Sequence, residues 1–241
     1  METVLTSLVN SLAKEAEQTM QSEREAAKFR QLLPALLNRG IDNIDFSMFG
    51  PEMRYSILDL MGDEFIRRGN LAEAQKAFVL SSNQPRLSIV GDEYAKLQQM
   101  TKAVEAYKLG GHTAKILGVG NRCLEDGRYH DAIVAFQAAG NTEGLLALGK
   151  LCVERGKFEE ALEIFSSLKE TEKLSALGDK CIETQDYEVA VRAYKAMNSA
   201  EKLNAIGETL LQNANFRLAL QAYEAAGNTA MLQFIKQNLV G

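Results

Sequence analysis

Cys123, Cys152 and Cys181 stand 29 residues apart and have the widest choice of chemistry in this 241-residue chain. A thiolate can ligate zinc, attack an electrophile or close a disulfide. Equal spacing instead puts the three at one position of successive structural units. Neighbouring helices pack about 8 to 10 Å apart, beyond the Cα separation of about 7 Å that a disulfide spans. The expectation is three buried, small apolar side chains, with no bound metal and no cofactor. The two histidines, His112 and His130, fall near loops, and the spacing places no Cys or Ser beside either as a nucleophile. Gly110-Gly111 lacks the Lys-Ser or Lys-Thr that completes a phosphate loop and reads as a helix end. No catalytic residue is expected, and the chain does not read as an enzyme.

Composition limits the remaining choices. The chain is 46% hydrophobic and 24% charged, with three prolines, so neither disorder nor a collagen-like fold fits. A net charge of -5 opposes binding to phosphate backbones or anionic membrane, because such binding depends on Lys and Arg displacing counterions. No stretch reaches the roughly 18 apolar residues of a membrane span. The apolar run from Val4 to Leu12 is broken by Thr6, Ser7, Asn10 and Ser11 and lacks a preceding basic residue, unlike a secretory signal. An odd cysteine count agrees with a cytoplasmic protein.

The spacing of the cysteines belongs to a wider period. Glycine recurs every 29 residues at Gly62, Gly91, Gly120, Gly149, Gly178 and Gly207. Twelve residues after each stands an alanine: Ala74, Ala103, Ala132, Ala161, Ala190 and Ala219. Four residues further comes Phe78, Tyr107, Phe136, Phe165, Tyr194 or Tyr223, and four before the next glycine position, which Lys236 occupies in the last case, comes Leu87, Ile116, Leu145, Leu174, Leu203 or Leu232. Apolar residues three and four apart, with Gly and Pro near the junctions, predict two helices per unit. Gly140 and Gly227 would end second helices in the left-handed conformation, with Thr142 and Thr229 capping the next first helices. A short connection makes the paired helices antiparallel, with Gly149 and Ala161 removing bulk at their closest approach and Phe165 filling the space beside them.

These residues resemble the tetratricopeptide repeat, whose signature has a Leu-Gly pair, an aromatic, a later alanine and a second aromatic. Leu148-Gly149, Leu177-Gly178 and Ile206-Gly207 match the first pair or nearly so, and Tyr129, Phe158, Tyr187 and Phe216 open second helices. Two features depart from the family. Its unit is about 34 residues long, and its proline after the second helix has no counterpart here except Pro85. The cysteines replace a first-helix aromatic that Phe65 and Tyr94 keep. The resemblance implies an all-α superhelix of antiparallel helix pairs, with curvature that does not carry over. Residues 1–32 then form an N-terminal helix or cap, with Val4, Leu5, Leu8, Val9 and Leu12 on one stripe. Residues 33–61 form a degenerate first unit in which Asp45 replaces the alanine, Pro51 starts a helix reaching Arg68, 62–235 hold six units, and 236–241 begin a seventh.

In that family the first helices line a concave groove. The residue after each glycine would face it: Asp63, Asp92, Asn121, Lys150, Asp179 and Glu208. Four positions later stand Arg67, Lys96, Glu125, Glu154, Glu183 and Gln212. The groove is then mixed at one end and acidic toward the other, suiting a basic or basic-amphipathic peptide better than a carboxylate. The expected function is an interaction scaffold or adaptor within a multiprotein assembly. Self-assembly into homo-oligomers, through the N-terminal helix or the C-terminal end, is the alternative, and a helical-repeat nucleic-acid reader fits the charge less well.

Overall fold

A computed structural model of the chain describes residues 32–238. The expected N-terminal stripe and the final Leu239 and Val240 lie outside the described residues. Residues 32–39 are helical and lead into a 3-10 turn, Ile41–Asn43. Beyond it stand α1 (Pro51–Arg67), α2 (Leu71–Leu80), α3 (Gln84–Lys96), α4 (Met100–Leu109) and α5 (Thr113–Glu125). Then come α6 (Tyr129–Ala139), α7 (Thr142–Glu154), α8 (Phe158–Ser167), α9 (Thr171–Glu183) and α10 (Tyr187–Ala196). The last are α11 (Ala200–Gln212), α12 (Phe216–Ala226) and α13 (Thr229–Asn238). No strand occurs among the described residues, and no helix there is long and apolar enough to cross a membrane.

The fold is an all-α solenoid of antiparallel helix pairs. Two compact units, Met1–Ile116 and Leu117–Gly241, divide the chain inside α5. In the first, α1 pairs with α2 and α3 with α4; in the second, α7 pairs with α8, α9 with α10 and α11 with α12. Successive second helices of the second unit, α6, α8, α10 and α12, also touch one another directly. This second-helix row therefore packs closest.

The connections explain the pairing. After the first helices the chain turns at Gly69, Gln98, Gly127, Gly156, Gln185 and Ala214, all with positive φ. After the second helices it turns at Ser82, Gly111, Gly140, Lys169, Asn198 and Gly227, again all positive. Behind Gly156 the Lys157 N–H donates to the Cys152 carbonyl at 2.7 Å, and the Gly156 N–H donates to Val153 at 3.1 Å. Two carbonyls left open by the helix end are thus satisfied as the chain reverses.

The caps differ from the expectation. Asn141, rather than Thr142, accepts the Gly144 N–H at 2.9 Å, and Asn228, rather than Thr229, accepts that of Met231 at 3.1 Å. Each threonine is the first residue inside its helix, where its hydroxyl is one position too late to cap. Residues 44–50 hold no regular helix, and α1 starts at Pro51 after a turn at Ser47 and Met48 and a bend at Phe49.

The repeated positions are the core. The six alanines twelve residues after each glycine are fully buried. So are Ala77, Ala106, Ala135, Ile164, Ala193 and Ala222, three places later. A Cβ built on any of the six repeated glycines would lie under 3.0 Å from the following aromatic ring, at 2.5 Å from Phe165 Cε1 for Gly149. Real Cβ atoms do not approach that closely, so the ring rests on bare backbone.

Candidate functional site

All the surface residues read from the sequence stand on first helices: Asp63 and Arg67 on α1, Asp92 and Lys96 on α3, Asn121 and Glu125 on α5. Lys150 and Glu154 stand on α7, Asp179 and Glu183 on α9, Glu208 and Gln212 on α11. Positions four apart share a helix face, so each pair is brought together. Asp63 and Asp92 are half-buried and the rest are exposed.

Several of these charges are already partnered within the fold. Lys115 Nζ donates to Asp92 Oδ1 at 2.7 Å and to Oδ2 at 2.6 Å, while Tyr107 OH donates to Oδ1 at 2.7 Å. The arrangement recurs in the second unit, where Lys202 Nζ donates to Asp179 at 2.7 and 3.0 Å and Tyr194 OH donates to Oδ1 at 2.6 Å. Both ammonium groups lie over the tyrosine ring, 5.4 Å and 5.6 Å from its centre. Asp63 pairs with Arg86 at 3.0 Å, but Phe78 gives it no hydroxyl. Each of these ion pairs ties one first helix to the next. Arg67 is held by Glu64, Lys96 by Glu93 and Glu183 by Lys180, all within one helix.

The carboxyls titrate accordingly. Burial pushes Asp92 and Asp179 up, but the Lys and Tyr hydrogen bonds and the Lys charge outweigh it and hold both below the ordinary 3.8. Burial dominates at Asp63, which sits above that value despite Arg86. Tyr194 is pushed up by burial and by the hydrogen bond it gives to Asp179.

A hollow of about 610 Å³ opens on this face of the first unit. Leu33, Leu60, Ile66 and Ile89 line it together with Asp63, Arg67 and Arg86. Ile89 is 38% exposed. On the second-helix side of the second unit, a larger furrow of about 910 Å³ runs past His130, Glu159, Glu163, Arg192 and Lys195. The Arg192–Glu159 pair at 2.5 Å crosses it.

No family model and no curated protein matches this chain.

The residues first considered for chemistry have structural surroundings. The three thiols are fully buried and free; burial pushes Cys152 up to about 11 and Cys181 up to about 12. Few thiolates form at neutral pH under those conditions. His112 Nε2 donates to the Gln84 carbonyl at 2.9 Å, since a carbonyl only accepts. His130 is 73% exposed, 3.9 Å from Glu163. Among the described residues, no group of three or more His, Cys, Asp or Glu could hold a metal ion. Sequence reasoning missed Arg86, Tyr107, Lys115, Tyr194 and Lys202. The signal for the tyrosines and lysines was the Asp-x14-Tyr-x7-Lys spacing, present at Asp92 and again at Asp179, and Arg86 falls at the lysine position of the unit with Phe78.

Proposed function

We propose that the chain is an interaction scaffold whose first-helix face docks a peptide or helix of a partner protein. The 29-residue unit is a shortened tetratricopeptide-like repeat in this reading, and the scaffold works as an adaptor within a larger assembly. The observation that carries it is the hollow at Leu60, Ile66 and Ile89. Half-buried Leu60 and Ile66 and exposed Ile89 share its lining with Asp63, Arg67 and Arg86, the mix of apolar surface and a few polar groups that a docking pocket uses. Asp63 and Arg67, read from the sequence, are among its lining residues.

The test uses two double variants in a pull-down from native lysate beside the wild-type chain. Leu60→Glu with Ile89→Glu should abolish capture while far-UV circular dichroism keeps full helicity. Glu125→Lys with Glu154→Lys tests the second unit, since neither glutamate makes an ion pair among the described residues. Equal capture by wild type and both variants excludes the first-helix face. Self-association is the second reading, favoured by Phe234, which is 50% exposed on α13. Light scattering across a dilution series, with Phe234→Ser beside wild type, tests it.

A further inference from the structure

We propose that the last complete unit takes a lysine side chain of the partner peptide beside Glu208 and Tyr223. This rests on the docking function above and names the chemistry of one first helix of the second unit. The chain contains the template twice. At Asp92, Tyr107 and Lys115, and at Asp179, Tyr194 and Lys202, a carboxylate receives a tyrosine hydroxyl and an ammonium together. The unit at Gly207 keeps the carboxylate as Glu208 and the phenol as Tyr223. Eight residues after the tyrosine, where the others have Lys115 and Lys202, it has Met231.

The consequence is visible at the phenol. Tyr223 is 1% exposed and its hydroxyl has no hydrogen-bond partner. A Cβ on Gly207 would lie 2.7 Å from Tyr223 Cζ, the same distance as from Gly178 to Tyr194 Cζ. The orphan hydroxyl therefore lies by the first-helix backbone at Gly207, next to Glu208, and the phenol's pKa is raised by burial and then by the Glu208 charge. A buried donor left unsatisfied costs free energy. An incoming ammonium that draws the Glu208 carboxylate inward recovers that cost and replaces the missing internal lysine. Glu208 is exposed, and Met231 is a flexible, half-buried side chain able to move aside. Lysine fits better than arginine by the chain's own usage: the base beside each tyrosine is lysine, whereas Arg86 belongs to the unit with Phe78.

The probe is a short fluorescent amphipathic helix of leucine and lysine, with a leucine and glutamine version as control. Anisotropy on the full chain should show the lysine peptide binding and the glutamine peptide binding far more weakly. Glu208→Gln and Met231→Lys should each weaken the lysine peptide by about tenfold or more. Met231→Lys should also raise Tm, because it completes the triad from inside, so its loss of binding is not misfolding. Equal binding by wild type and both variants, or a lowered Tm in Met231→Lys, overturns the lysine site and leaves the docking face standing. Binding of neither peptide overturns the site, and capture from lysate then judges the docking face separately.

Discussion

Glycine residues with the same helical backbone have opposite roles depending on what lies above them. A Cβ at Gly149 would meet Phe165 at 2.5 Å and Ile164 Cγ2 at 3.2 Å, and both residues are buried. Helix propensity favours Ala over Gly by about 1 kcal/mol. The clash outweighs it, and Gly149→Ala should cost about 1 to 3 kcal/mol net. Gly118, on α5, has nothing within 4 Å of its built Cβ. Gly118→Ala should therefore stabilise by up to about 1 kcal/mol. Urea midpoints for the two variants should move in opposite directions from wild type. The carboxylates carry a second prediction. With folded values below 3.8, Asp92 and Asp179 add stability that is complete above the unfolded value and lost as pH falls through 3.8 toward the folded values. Asp92→Asn with Asp179→Asn should make the fall of Tm below pH 4 shallower. Asp63, raised by burial, has the opposite sign. Asp63→Asn should leave that slope no shallower.

At the scale of the element, the two-helix unit is closed at both ends by a residue with positive φ. Six of those twelve turns use glycine and six do not. Punctuation by glycine therefore made half of the turns legible in the sequence. The other half come from the period alone, because a two- or three-residue reversal between packed helices dictates the backbone whatever side chain is present. An L residue other than Gly pays about 1 to 2 kcal/mol for this conformation, with Asn tolerating it best. Ala214, at φ 55, should gain from Ala214→Gly despite the greater freedom of glycine in the unfolded chain. Asn198→Gly, at the same φ, should gain less. Paired thermal melts decide the order. The first-helix face was legible as a list of positions but not as a set of pairs. Asp179 and Lys202 stand on successive first helices 23 residues apart, and only the stacking brings them to 2.7 Å. The second row of small residues, Ala77, Ala106, Ala135, Ala193 and Ala222, was broken in sequence by Ile164. It became visible only through its burial.

At the scale of the whole molecule, units that touch only their neighbours give a stability summed from local terms and interfaces, so damage spreads by proximity rather than through one core. The second compact unit shows this in its contacts. There α8 is enclosed by α6, α7, α9 and α10, whereas α12 meets α10, α11 and the terminal α13. Ala161 on α8 and Ala219 on α12 occupy the same repeat position, and both are fully buried. A leucine at either overpacks by about 1 to 3 kcal/mol. Ala161→Leu loads an interface shared on both sides, so amide protection should fall from α6 to α10 and the midpoint of this unit should drop as one transition. Ala219→Leu loads the end, where fraying α11 to α13 relieves the strain without disturbing α7 to α9. Hydrogen exchange by mass spectrometry should then show faster exchange confined to residues 200–238, with 142–183 unchanged. Equal protection loss across both segments in Ala219→Leu would mean that Leu117–Gly241 unfolds as a single block, and the nearest-neighbour account of this array would fail.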